Sequence, residues 1–463
     1  MESPRARDPP RLVPSLAELY AREEARFAET HPRSLALFER ARSSLLEGVP
    51  MHWMKKWPGG FPVFVREANG ARFVDVDGIE YVDFCLGDTG AMTGHAPEST
   101  LRAIREQAAK GITLMLPSED ALWVSEELGR RFGLPSWQFA LTATDANRFS
   151  IRLARHVTDR YKVLVFNWCY HGTVDEAFAN LVEGHVEARR GNLGPPVDPA
   201  ETTRVVEFND LDGLERALAH EDVAVVLAEP ALTNIGIVHP EPGFHDALRE
   251  LTSRYGSLLA IDETHTICCG PGGFTGVNGL EPDIVTIGKT IGGGIPSAAY
   301  GFSEETAARL AGTIEPGEID VGGVGGTLAG NALSLAATRA TLGEVLTNEA
   351  FARMIALSER WTEGVEVAIE ESGLAWHVTR LGCRAEYLFG PDRPTNGSEA
   401  HAAGNSELER YMHLHALNRG ILLTPFHNMA LMSPATTEAD VDRHSEVFRE
   451  AVLELAEGQT PRV

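Results

Sequence analysis

The stretch PDIVTIGKTIGGGIPSAAYG, residues 282–301, decides the reading of this chain. A short apolar run, Ile284-Val285-Thr286-Ile287, closes on Gly288 and Lys289 and is followed by Gly292, Gly293 and Gly294. Four or five apolar residues bounded by turn formers read as a buried strand. A lysine at the end of such a strand, with glycines after it, implies backbone packed closely around an amine. Burial disfavours the charged form of an amine and leaves it free to form an imine. The alternative is a surface lysine whose stem lies on apolar surface while its head reaches water.

The same rhythm extends outward. The runs KVLVFN, VAVVLAEP, SLLAIDE and AAYGF alternate with amphipathic helices such as STLRAIREQAAKG and DALWVSEELGRRFG. Short apolar strands separated by helices predict an α/β fold with a mainly parallel sheet over residues 99–340. Residues 1–98 read differently. The start, up to about Pro14, is rich in Pro and Arg and is expected to fray; two helices interrupted near Pro32 follow. A hairpin turning at Asp77-Gly78 then predicts a small antiparallel unit. Residues 341–463 return to helices with strands at LGCRAEYLF and GILLTP, giving a smaller α+β domain completed by the N-terminal segment. The polar stretch 391–407 predicts a surface loop or flap.

Open α/β sheets bind ligands at the carboxyl ends of their strands, and two further features fall there. Asp262 ends LLAID; alone it could equally cap a helix. Thr142-Ala143-Thr144-Asp145-Ala146-Asn147 precedes a helix. Hydroxyls and free N–H groups at a helix N-terminus form an anion site, or simply a cap.

Composition sets the outer limits. The 463 residues carry 66 acidic and 41 basic side chains, a net charge of −25 that disfavours nucleic acid and anionic lipid as partners. Taking about 150 residues per domain gives two or three domains. Five cysteines, Cys85, Cys169, Cys268, Cys269 and Cys383, lack zinc-site spacing and read as free thiols in a reducing compartment, with no metal site. No apolar run reaches 18 residues and no signal-peptide core opens the chain, so a cytoplasmic location follows by elimination.

Taken in order, the anion site, Tyr170-His171-Gly172, Glu229-Pro230, Asp262-Glu263 and Lys289, which stands 27 positions after Asp262, form a pattern. It resembles the fold-type I pyridoxal-phosphate (PLP) enzymes, and within them the class III aminotransferases, in the branch that contains glutamate-1-semialdehyde aminomutase. The resemblance runs from about residue 40 to 450 through DVDGIEYVDFCLGDTGAMTGHAP, KVLVFNWCYHG, VVLAEPALTNIGIVHP, LLAIDETHT, PDIVTIGKTIGGGIPSAAYG and GGTLAGN.

The resemblance implies roles. Lys289 would hold PLP as a Schiff base and then move protons. Asp262 would keep the pyridine nitrogen protonated. Tyr170 would stack on the ring, with His171 and Gly172 shaping the turn, while Thr142, Ala143 and Thr144 contact the phosphate. Thr264 would stand at the cofactor in place of an apolar ring-packing residue, its hydroxyl free to bond a substrate or water, Glu229 and Asn234 would lie on the ring's 3-hydroxyl side, and Thr327 would reach the phosphate of a neighbouring subunit in a homodimer. Three departures from the family pattern stand out: Ala143 for glycine, Thr264 for valine, and Ile267-Cys268-Cys269 for Gly-Phe-Arg.

For the substrate, the resemblance places residues 50–62 at the entrance, where His52, Trp53, Met54 and Trp57 would make an aromatic wall; packing of the N-terminal unit is the alternative. Arg384 would grip a substrate carboxylate or else form a structural ion pair. Phe426-His427-Asn428-Met429 would reach the partner's site. The leading functional reading is an aminotransferase moving an amino group between an amino acid or amine and a keto acid. The alternative is an intramolecular aminomutase, and the remote one a non-catalytic PLP-binding protein.

Overall fold

The computed structural model describes residues 14–312, 322–425 and 427–459. The Pro- and Arg-rich start and Phe426 lie outside the described residues.

The large sheet has seven strands, labelled here in chain order: β1 Ser136–Ala140, β2 Lys162–Phe166, β3 Thr203–Val206, β4 Val223–Ala228, β5 Leu258–Asp262, β6 Ile284–Ile287 and β7 Ala298–Phe302. Their spatial order is β1-β7-β6-β5-β4-β2-β3. Every pairing is parallel except those of β7, which runs antiparallel to both β6 and β1. Strands β4, β5, β6 and β7 are buried throughout, as continuous apolar runs covered on both faces must be. Their order of crossing brings the carboxyl ends of β5 and β6 side by side, with Asp262 paired to Thr286. Asp262 and Lys289 are neighbours in space for that reason.

Strands β1 and β3 do not stand out as apolar runs, because SWQFA carries polar residues at partly covered positions and half of TRVV is polar, a buried Thr203 and a half-buried Arg204. Two more elements differ from expectation. A hairpin, Ala179–Val182 with His185–Ala188, follows the Tyr170 turn. The stretch 391–407 contains helix Gly397–Ala403, capped by the Asn396 side chain on Glu399 N–H, and the start of Ser406–Leu417, capped by Asn405. Asn caps at both starts make helices out of a composition that resembles a loop.

The N-terminal part behaves as its punctuation suggests. Ser15 and Glu18 form a capping box on helix Leu16–Thr30, and Pro32 opens a second helix, Pro32–Ala41. Strands Arg72–Asp75 and Glu80–Asp83 pair antiparallel. The second of these pairs in parallel with Ile421–Leu422, which ties the N-terminal unit to the C-terminal segment. Phe84, Trp361, Tyr387 and Phe448 lie in the core that this segment shares with the large sheet. All five cysteines are free.

Candidate active site

Two strand ends and one helix start converge on a cavity of about 510 Å³. Asp262, Lys289, Tyr170, Thr264, Thr142 and Ala143 are among its lining residues.

Asp262 closes β5 and is 4% exposed. One of its oxygens accepts hydrogen bonds from Asn147 Nδ2 at 2.8 Å and His171 Nδ1 at 2.9 Å; the other accepts from Thr264 N–H at 3.0 Å. Burial alone would favour the neutral acid, but these donors and the His171 charge hold the carboxyl down at about 2. Burial likewise opposes charge on His171, yet Cys169 and the Asp262 carboxylate beside it raise the imidazole to about 10. A carboxylate this firmly ionised at the floor of a cavity is suited to a cationic partner above it.

Lys289 follows β6 with a left-handed backbone, φ +50°. Its Nζ bonds to the Asp88 carbonyl at 2.9 Å, an Asp88 carboxylate oxygen at 2.9 Å and His265 Nε2 at 2.8 Å. The loop carrying Asp88 is strained, with Leu86, Asp88 and Thr89 all at positive φ. Asp88 and His265 carry no signal of this role in the sequence; GDTG resembles a turn, and His265 sits in a position between motif residues.

The helix Ala143–Thr158 begins at the opposite wall. Thr142 caps it, accepting from Asp145 N–H at 3.1 Å, so the preceding N–H groups of Ala143 and Thr144 have no intrahelical acceptor. Thr144 Oγ1 accepts from Thr173 N–H at 3.1 Å. Gly172, at φ +76°, leaves no room for a side chain: a Cβ there would stand 2.1 Å from Thr144 Oγ1. Gly288 also lies close to Ala143, whose N and Cβ would each stand 3.0 Å from an added Cβ, so the methyl of Ala143 faces a glycine that accommodates it.

Other residues singled out in the sequence lie elsewhere. Glu229 is buried and accepts from Tyr170 N–H at 3.2 Å and Thr233 N–H at 3.1 Å; it staples two turns behind the cavity and does not line it. Asn234 donates to the Trp168 carbonyl at 3.3 Å and lines a separate cavity of about 440 Å³. Arg384 is fully buried, 2.7 Å from Glu386, with a second bond to the Thr233 carbonyl at 2.9 Å. It forms the ion pair and presents no open fork to a substrate carboxylate. Trp53 and Trp57, both half-buried, do not line the Lys289 cavity within one protomer. Thr327 is exposed in the protomer.

The residues fit PLP. The cavity has the size of a cofactor site, a helix N-terminus with free N–H groups and two threonines offers phosphate contacts, and an ionised Asp262 lies opposite. The buried Thr264 Oγ1 on the wall has no protein partner. Fold and site together define a pyridoxal-phosphate enzyme of fold type I.

The family profile described as aminotransferase class-III matches residues 53–452. The chain belongs to the class III aminotransferase family. It is 35% identical over 438 residues to a glutamate-1-semialdehyde 2,1-aminomutase of Sorangium cellulosum, covering 92% of this chain and 97% of that one. A glutamate-1-semialdehyde aminomutase of Pseudomonas aeruginosa superposes with a TM-score of 0.93 at 54% identity, covering 95% of this chain and 98% of that one; a variant of it, equally similar in fold, is known in complex with PMP. An omega-transaminase of Sphaerobacter thermophilus gives a TM-score of 0.84 at 29% identity, covering 92% of this chain and 98% of that one.

Proposed function

We propose that this protein moves an amino group within one substrate, as a glutamate-1-semialdehyde 2,1-aminomutase does. The observation that carries the proposal is likeness along nearly the whole chain to enzymes of that name, at 54% identity in the structural comparison and 35% in the sequence comparison. This takes the alternative from the sequence reading over its leading one, a transaminase with separate donor and acceptor. The likeness to the omega-transaminase supports that leading reading at lower identity.

Bound PLP supplies an electron sink for charge developed at the carbon beside the amino group. Asp262, ionised and braced by His171 and Asn147, holds the proton of the pyridine nitrogen in place. Thr142, Ala143 and Thr144 bind the phosphate at the helix start, and Tyr170 flanks the ring. Lys289 takes and returns protons. Amino groups exchanged between adjacent carbons require a proton to be moved at each, and one amine on a long stem reaches both. Thr327 of a neighbouring copy completes the phosphate contacts in a homodimer.

The test supplies glutamate-1-semialdehyde alone to protein loaded with pyridoxamine phosphate. Formation of the isomer with the amino group on carbon 1 and the carbonyl on carbon 2, without any keto acid, is the expected result. Turnover only when an amino donor and a keto acid are both present would replace this reading with the transaminase.

A further inference from the structure

The carboxylates of Asp262 and Asp88 are held in opposite ways. Asp262 accepts from Asn147, His171 and the Thr264 N–H, donors that the fold fixes in place. Asp88 depends on a lysine: its Oδ2 accepts from Lys289 Nζ at 2.9 Å, while its Oδ1 is buried without a hydrogen-bond partner. Among the described residues, no backbone N–H and no arginine donates to this carboxylate. Burial opposes its charge, yet the positive groups around it, Lys289 foremost, hold the Asp88 carboxyl well below the usual carboxylate range. The turn that carries it is strained, with Leu86 at φ +44°, Asp88 at +51° and Thr89 at +80°. Backbone strain of this kind gathers at sites that bind ligands. Gly87 and Gly90, on either side of Asp88, line the same cavity as Lys289.

The ion pair between Lys289 and Asp88 does not outlast the chemistry of the lysine. Nζ serves both the Asp88 carbonyl and the Asp88 carboxylate, each at 2.9 Å, which takes two hydrogens. A nitrogen bonded to the cofactor keeps at most one, so it cannot go on serving both. An amine at work on the carbons of the substrate leaves them altogether. Either way a buried carboxylate loses the cation that balances it, and a buried charge without a partner is costly. Another cation placed where Nζ stood restores the balance.

We propose that Asp88 is a specificity residue that receives a primary ammonium of the substrate in the place that Lys289 Nζ vacates. The substrate class is one with an amino group beside the carbon that reacts. The inference deepens the proposed function and rests on it: glutamate-1-semialdehyde carries its amino group one carbon from its aldehyde. The charges of the cavity agree with this orientation. Asp88 attracts an ammonium and repels a carboxylate. Within one protomer no arginine stands among the residues lining the cavity, so no fork there takes hold of the substrate by its carboxylate instead. His265 Nε2, 2.8 Å from Lys289 Nζ, gives the vacated position a second polar neighbour.

The experiment loads the full-length parent and Asp88→Asn with pyridoxamine phosphate. It follows the half-reaction in which the amino group of the cofactor passes to an aldehyde carbon and the aldehyde oxygen passes to the cofactor. Two aldehydes of equal chain length are compared: glutamate-1-semialdehyde, and 5-oxopentanoate, which has the aldehyde and the carboxylate but no amino group. Growth of the visible cofactor band gives the rate constant per unit concentration for each. The parent should favour the amino aldehyde. Asp88→Asn, which keeps the shape and removes the charge, should lower that preference by about tenfold or more, as loss of a charge-assisted bond does. In a separate titration of cofactor-free protein, Asp88→Asn should still capture PLP, with circular dichroism showing that the fold is kept. Asp88→Ser, read in the same way, repeats the test if asparagine disturbs the turn. A preference unchanged in these variants overturns the proposal, because a residue that only positions Lys289 slows both aldehydes alike. Folded variants that fail to capture PLP also overturn it, since Asp88 then serves the lysine and not the substrate. Isomer formation by the parent with an unmoved preference sinks this inference alone. A preference that depends on Asp88, without isomer formation, supports it and sinks the aminomutase reading.

Discussion

At the scale of single residues, the site rests on Lys289 and on an Asp262 carboxylate braced by His171. Lys289→Ala should abolish the visible cofactor band and all turnover while leaving the melting curve near that of the parent; a retained band would remove Lys289 from its role. Asp262→Asn should still bind PLP yet lose at least about a hundredfold in turnover, as expected when a buried electrostatic partner of the reacting system is removed; near-normal turnover would count against that role. The Asp262–His171 pair also makes stability depend on pH. Asp262 is depressed to about 2, so its contribution is present above the unfolded value near 3.9 and lost as pH falls through about 2. His171 is raised to about 10, so its contribution is complete below about 6.5 and declines as pH rises through 10. Urea midpoints of the parent and of Asp262→Asn should therefore differ most between about pH 4 and 6.5 and converge on either side. A difference independent of pH would mean that the two groups do not titrate together. Lys289 and Asp262 were legible in the sequence because each ends an apolar run. Asp88 and His265 were not, since neither has a neighbour in sequence that hints at its partner; the Arg384 ion pair was one of two readings, and its partner Glu386 stands two residues on along the same strand.

At the scale of elements, the cofactor cradle depends on how closely a helix start approaches two strand ends. Gly172→Ala would place a methyl 2.1 Å from Thr144 Oγ1 at a φ of +76°. It should displace the helix start and cost roughly 1–3 kcal/mol. The same change should weaken PLP binding measurably, whereas Thr142→Ala should cost only about 1 kcal/mol as a lost cap. Thermal melts with and without added PLP read both effects; an unshifted melt in Gly172→Ala would show that the turn has slack. The buried strands β2 and β4–β7 were readable from composition. Strands β1 and β3 were not, because β1 carries polar residues at part-exposed positions and two of the four residues of β3, Thr203 and Arg204, are polar. The helices at 397–403 and from 406 hid behind their own Asn caps.

At the scale of the whole molecule, one protomer leaves features that a second would complete. Thr327 is exposed, and so are Leu328 beside it and the run Ile112, Leu114, Met115 and Leu116, with Met115 and Leu116 each 74% exposed. Exposed apolar runs of this kind mark interaction surfaces, and an isologous dimer is the expected assembly. Met115→Asp with Leu116→Asp should shift sedimentation toward the monomer and lower PLP retention together. A dimer that persists with full cofactor would place the interface elsewhere. No helix among the described residues is long and apolar enough to cross a membrane.

What the sequence determined by itself is what local pattern carries: apolar period and run length mark buried strands, glycines mark where backbone turns tightly, and motif order marks the family and, through it, the lysine and aspartate proposed for the cofactor. What only the tertiary structure decided is every relation between distant segments. Asp88 and His265 bond one amine, and Arg384 reaches His265 from the C-terminal segment, because β5 and β6 lie side by side and distant segments fold onto their ends. A hydrogen bond needs atoms within about 3 Å, a distance that chain order does not encode and packing does.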